Sequence, residues 1–181
     1  MSATVDWFSL AIWSLAGTWA LVIGTLILMY WQTRSAQRLN SANAVIGLRE
    51  RFDGPRMLAA RRHLSERLLS LSHDDIASME VATFFELVGT LTHRGILDRD
   101  LVWEAFGTWA SAYYWAMRNP VDLVGKLREA LSDPLVFHEF EWLDRTIAEV
   151  DTLRLGPAAT SANTAELSKQ FLEREIRLGS I

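Results

Sequence analysis

Residues 7–33 read WFSLAIWSLAGTWALVIGTLILMYWQT, and no charged side chain interrupts them. The stretch Phe8 to Met29 is 22 residues long. As a helix it reaches about 33 Å, against roughly 30 Å of bilayer hydrocarbon. Trp7 marks one end, and Tyr30 with Trp31 the other, where amphipathic rings favour the headgroup level. A cleaved signal peptide would want basic residues in front and small residues at the cut. Here only Asp6 precedes the stretch, and Met29-Tyr30-Trp31 offers no small-residue site. A soluble core rarely holds so long an uncharged run, so the segment reads as a single transmembrane helix.

The flanks orient it. Arg34 and Arg38 follow directly, Arg49 and Arg51 come soon after, and the terminal amine is the only basic group before it. The positive-inside rule then predicts an N-terminus outside the inner (cytoplasmic) membrane and a C-terminal domain in the cytoplasm. Those four arginines are expected to face anionic lipid. Charge is divided along the chain in the same sense. The net charge is +5 from Arg34 to Arg67 and −8 from Leu68 onward, within an overall −4.

Inside the span, Ala16, Ala20 and Gly24 recur every four residues and share one helix face. Small residues at that spacing admit a second helix. Trp13 and Trp19 sit deep, where an indole N–H favours a partner. The span has no histidine to serve as an axial ligand, and no cofactor is expected.

The rest of the chain predicts an all-α fold. A juxtamembrane stalk helix is expected over 34–54, with a thin apolar stripe of Leu39, Ala42, Val45, Ile46 and Phe52. Asp53-Gly54-Pro55 breaks it. A helical domain of about five helices follows over 55–155. Its first helix carries Met57, Ala60, Leu64 and Leu68 at helical steps. Its second, from about Asp74 to His93 behind a Ser72 cap, is the most apolar, and Gly95 closes it. Asp98 caps a third over Arg99–Arg118, while Asn119-Pro120 and Asp133-Pro134 open two more. The segment 156–164 reads as a small-residue linker. The segment 165–181 reads as a separate amphipathic helix, capped by Thr164, that needs this domain, a partner or the membrane to hold it. No stretch alternates with a period of two, so no sheet is predicted.

The central helices resemble a widespread bacterial family of unknown function. The resemblance rests on Phe84-Phe85-Glu86-Leu87-Val88-Gly89, then Arg94-Gly95-Ile96-Leu97-Asp98, Leu101-Val102-Trp103 and Phe106-Gly107. It continues through Tyr113-Tyr114-Trp115 and Phe137-His138-Glu139-Phe140-Glu141-Trp142-Leu143, covering roughly Val45 to Ile147. It implies a single N-terminal membrane helix with an all-helical cytoplasmic domain, and no reaction.

The residues themselves point away from catalysis. There is no cysteine, and the four histidines form no zinc-hydrolase pattern. No phosphate loop or nucleophile elbow occurs. Glu86, set in an apolar run, is a candidate buried carboxylate: either a proton or ligand site, or a structural ion pair with Arg94, His93 or an arginine from a neighbouring helix, or a partly exposed side chain. His138 and Glu141 share a face but read as a solvated helix start. The arginines of 49–67 suit an anionic surface better than nucleic acid. The expectation is therefore a non-enzymatic, membrane-anchored interaction module that binds a protein partner or itself. An accessory subunit of a larger membrane complex stands second, and an enzyme using a buried carboxylate third. No small-molecule substrate is indicated.

Overall fold

A computed structural model of the chain describes residues 7–70, 79–119, 122–156 and 165–178, with side chains except at 7–18, 20, 165 and 166. Among the described residues there are seven helices and no strand: α1 (Trp7–Phe52), α2 (Pro55–Ser70), α3 (Glu80–His93), α4 (Arg99–Arg118), α5 (Leu123–Leu131), α6 (His138–Leu155) and α7 (Ala165–Leu178). The Ser72 cap, the Pro120 helix start and the Thr164 cap lie outside those residues. The chain divides into two compact units, Met1–Asn40 and Ser41–Ile181.

In the first unit every described side chain from Leu21 to Asn40 is exposed. Two threonines satisfy their hydroxyls on their own helix, Thr25 on the Leu21 carbonyl at 2.8 Å and Thr33 on the Met29 carbonyl at 2.9 Å. Among the described residues no helix is long and apolar enough to cross a membrane. The described side chains of α1 begin at Trp19, part-way along the uncharged stretch.

The second unit is organised around Phe52, which has no exposed surface. Its ring meets Phe84, Phe85, Phe106 and Trp109 at centroid distances of 5.1, 5.5, 5.8 and 5.9 Å, mostly edge to face. The expected stalk over 34–54 therefore ends earlier than its apolar stripe suggested. From Ser41 on, α1 is a core helix of the bundle, with Val45 buried and Leu48 packed against the same cluster. Ser41 is buried as well, and its hydroxyl accepts the Asp98 backbone N–H at 2.7 Å, just where α4 begins. Asp98 in turn caps α4, its carboxylate accepting from the N–H groups of Asp100 and Leu101. Gly95 closes α3 at φ +70, the left-handed geometry that glycine adopts without strain.

Helix α6 starts later than Asp133-Pro134 predicts. Asp133 accepts the Leu135 N–H at 2.8 Å in a turn, and Phe137, buried and left-handed at φ +55, makes the N-cap without a side-chain hydrogen bond. The cap comes from another helix. The Glu86 carboxylate accepts the N–H groups of Glu139 at 3.2 Å and Phe140 at 2.7 Å. One turn further along α3, Gly89 lies against the Glu139 backbone, and a Cβ there would overlap the Glu139 carbonyl. α3 and α6 can thus approach only with glycine at 89.

The C-terminal helix, expected as a separate piece, packs against α2 and α4 within the second unit. Leu172 is buried in the common core, and Phe171 meets Tyr113 edge to face at 5.1 Å.

Gly89→Ala is expected to destabilise the bundle by about 2–3 kcal/mol, because the atom it meets is backbone and cannot rotate away. Urea unfolding of the full chain in neutral detergent, followed by tryptophan fluorescence, measures it. Gly47→Ala, where a Cβ meets nothing within 4 Å, serves as the control and should be neutral or mildly stabilising.

Candidate functional site

Glu86 is the residue for which the sequence left a functional role open. It is only partly buried, and it pairs with neither Arg94 nor His93. Its partners are main-chain N–H groups at the start of α6, where a carboxylate also meets the positive end of the helix dipole. His93 is taken up elsewhere. Its Nδ1 lies 2.9 Å from Glu139 Oε2, and its ring stacks on Trp142 at 4.3 Å. Glu141, expected beside His138, instead accepts from Arg128 at 2.8 Å, and that hydrogen bond holds its carboxyl below the usual range.

The four basic residues divide by unit. In the first, Arg34 donates to the Tyr30 hydroxyl at 3.3 Å, and Arg34, Arg38 and Trp31 line a shallow groove. In the second, Arg49 does not point outward as a lipid contact would. It donates to the Ala105 carbonyl at 2.6 Å, pairs with Asp53 at 2.7 Å and lies 4.3 Å from the Trp109 ring centre. Arg51 is exposed beside a cleft of about 620 Å³ floored by Met57, Met79 and Phe84. Of the membrane-packing residues, the side chains of Trp13, Ala16 and Ala20 lie outside the described set. Trp19 is 61 % exposed, and Gly24 faces open space.

The most deeply buried charges among the described residues lie outside the sequence-predicted site. Arg61 on α2 and Glu175 on α7 each keep about 3 % of their side-chain surface and meet at 2.6 Å. Arg61 also lies over the Phe52 ring at 4.3 Å. The Tyr113 hydroxyl donates to the same Glu175 carboxylate at 2.9 Å, and burial pushes its own titration above the ordinary tyrosine range. The signal was present: each charge interrupts an apolar stripe, Met57-Arg61-Leu64 in one helix and Phe171-Glu175 in the other. This network welds α7 to α2 and α4. Each of its three side chains is engaged by another, which is the arrangement of a structural joint.

One concavity combines depth with chemistry. Between α4, α6 and α7 runs a trough of about 730 Å³, floored by Gly107, Ala112 and Ala148. Asp144 is on its wall, with burial pushing its carboxyl up to about 6, helped by Glu141 and Asp151 and opposed by a hydrogen bond from Ser111. Among the described residues no three histidine, aspartate or glutamate side chains are grouped to hold a metal ion.

A helical bundle whose α3 and α6 are joined through glutamate and glycine, with Phe52 of α1 at its core, is the class these observations define. The match with known families covers residues 8–146, and the chain belongs to DUF4760, a domain of unknown function. No curated protein and no solved structure matches it. The match takes in the uncharged N-terminal stretch, ahead of the Val45 start read from motifs, and it ends before α7.

Two outcomes test this geometry. Arg61→Met strands the Glu175 carboxylate in the core and is expected to cost about 3–5 kcal/mol in thermal or urea unfolding. Arg61→Met with Glu175→Leu should recover most of that loss. Asp144 gives a pH-dependent signature. Its folded carboxyl titrates near 6 rather than 3.8, so the folded state keeps a proton that the unfolded chain releases. Stability from this group is full below about pH 4 and falls as pH rises through 6. Asp144→Asn should therefore be more stable than the parent at pH 8, by ~1–3 kcal/mol, with the advantage gone below pH 4.

Proposed function

We propose that this protein is a single-pass membrane protein whose helical domain works in the cytoplasm as a non-enzymatic interaction module. The observation that carries the reading is the apolar collar of α1. Trp19, Leu21, Ile23, Leu26, Ile27, Leu28, Met29 and Trp31 are each more than half exposed, and they point to all sides of the helix. A helix apolar all round needs an apolar surrounding, and a bilayer supplies one without a dedicated partner. The uncharged run from Phe8 gives the length, and the threonines of the described part use no outside partner. Tyr30, Trp31, Arg34 and Arg38 then fall where rings and cations meet headgroups.

The cytoplasmic side for the C-terminal unit follows from the arginine asymmetry about the span. The interaction role rests on what the second unit spends its polar groups on. Glu86, Arg49, Arg61 and Glu175 are engaged in holding helices together, which suits a binding scaffold more than a reaction centre. A second reading, an accessory subunit of a larger membrane complex, draws on the open space at Gly24, in line with Ala16 and Ala20.

Expression of the full chain with tags at each end decides between these. The proposal expects the protein to stay in the membrane pellet through alkaline carbonate. It expects the C-terminal tag to be cut by protease only after the inner membrane is opened. Release by carbonate, or cleavage of the C-terminal tag from the periplasmic side, overturns it. A large native assembly that Ala20→Leu disperses would favour the subunit reading.

A further inference from the structure

We propose that the trough between α4, α6 and α7 binds a small organic cation: a protonated amine or a quaternary ammonium group with an apolar body. The site stands independently of membrane attachment, since every described lining residue belongs to the second unit. Its shape has a cause in the sequence. The floor is made of Gly107, Ala112 and Ala148, residues too small to fill the space where three helices converge. The volume of about 730 Å³ falls within the range that holds drug-sized ligands.

Its chemistry is one-signed. Glu104, Asp144 and Asp151 line it, and no described lining residue is basic. Two of the three are engaged: Asp151 accepts the Trp103 indole N–H at 2.7 Å, and Glu104 pairs with Arg154 at 3.2 Å. Asp144 has no cationic partner among the described residues and is set deep enough for burial to disfavour its charge. A carboxylate left so is stabilised by an incoming cation far more than an exposed one would be. Trp115 and Phe171 add aromatic rings to the lining, the partners an ammonium group prefers, while the Trp103 ring already carries the Arg154 guanidinium at 4.6 Å. The α7 wall adds a second kind of signal. Ser168 lines the trough, keeps 4 % of its surface and has no hydrogen-bond partner for its hydroxyl among the described residues. A buried hydroxyl without a partner costs free energy unless something meets it. An ammonium N–H or a polar group on the ligand body is such a partner.

Calorimetric titration of the full chain in a neutral maltoside detergent tests this, with benzyltrimethylammonium as probe and phenylacetate as its anionic counterpart. The expected result is saturable one-to-one binding of the cation and none of the anion. Asp144→Asn should weaken the cation at least ~10-fold, which is ~1.4 kcal/mol. Ala148→Leu, which fills the floor and leaves every charge in place, should abolish binding while circular dichroism and the unfolding midpoint stay near the parent's. The proposal is overturned if the cation fails to saturate by ~10 mM. It is overturned equally if phenylacetate binds as well as the cation, or if Ala148→Leu binds like the parent. Saturable binding of oligolysine without any of the small cation would also sink it, and would mark the trough as a protein-docking surface.

Discussion

The bundle depends on how closely α3 can run past the first turn of α6. Helix α6 begins after a left-handed Phe137 with no side chain of its own to cap it, so its leading N–H groups need an acceptor from elsewhere. Glu86 brings one across from α3, and the missing side chain at Gly89 allows the approach. Once that contact is made, Phe85 stacks on Phe140 at 5.1 Å, and the aromatic cluster around Phe52 has its far wall. Remove the cap or fill the glycine, and the two helices that frame the core must separate. The segment Phe84-Phe85-Glu86-Leu87-Val88-Gly89 is therefore explained as one device. Its phenylalanines build the core, its glutamate and glycine dock the neighbour, and Leu87 faces outward.

What the sequence made legible was whatever is governed locally. Asp98 capping α4, Gly95 closing α3 and the break at Asp53-Gly54 follow from residues within a turn of each other, and the structure has them. Contacts between distant residues were harder. The α6 start was assigned to Asp133-Pro134 because the true cap, Glu86, lies far back in the chain. Phe52 was read as part of a stalk because a thin apolar stripe looks the same whether it leans on a domain or enters it. Arg49 was read as a lipid contact by its nearness in sequence to the hydrophobic segment. Its carbonyl and tryptophan partners on α4 outweigh that. Asp144 carries no signal in the sequence, because aspartate on an amphipathic helix ordinarily marks the solvent face. Only the convergence of three helices over small residues buries it.

The two units use charge in opposite ways. From Leu21 to Asn40 the described side chains are exposed, and the helix meets its own hydroxyl needs. In the bundle, polar groups are the joints. Ser41 fixes the start of α4, Glu86 the start of α6, and Arg61 with Tyr113 the position of α7. Such joints add little net stability compared with a well-packed apolar equivalent, but they penalise any arrangement that leaves one member unmatched. They give the domain one way to assemble.

The joint at Arg61 reaches past this chain. Helix α7 lies beyond the stretch shared with the family, yet the arginine that receives it lies within that stretch. Arginine in that place is an encumbrance to any chain without a buried carboxylate to answer it, since only the longer contacts to Asp53 at 3.6 Å and the Phe52 carbonyl at 3.4 Å would remain. The two positions thus constrain each other physically. Across the family, a basic residue at the Arg61 position should accompany an acidic C-terminal helix, and a neutral one should accompany its absence.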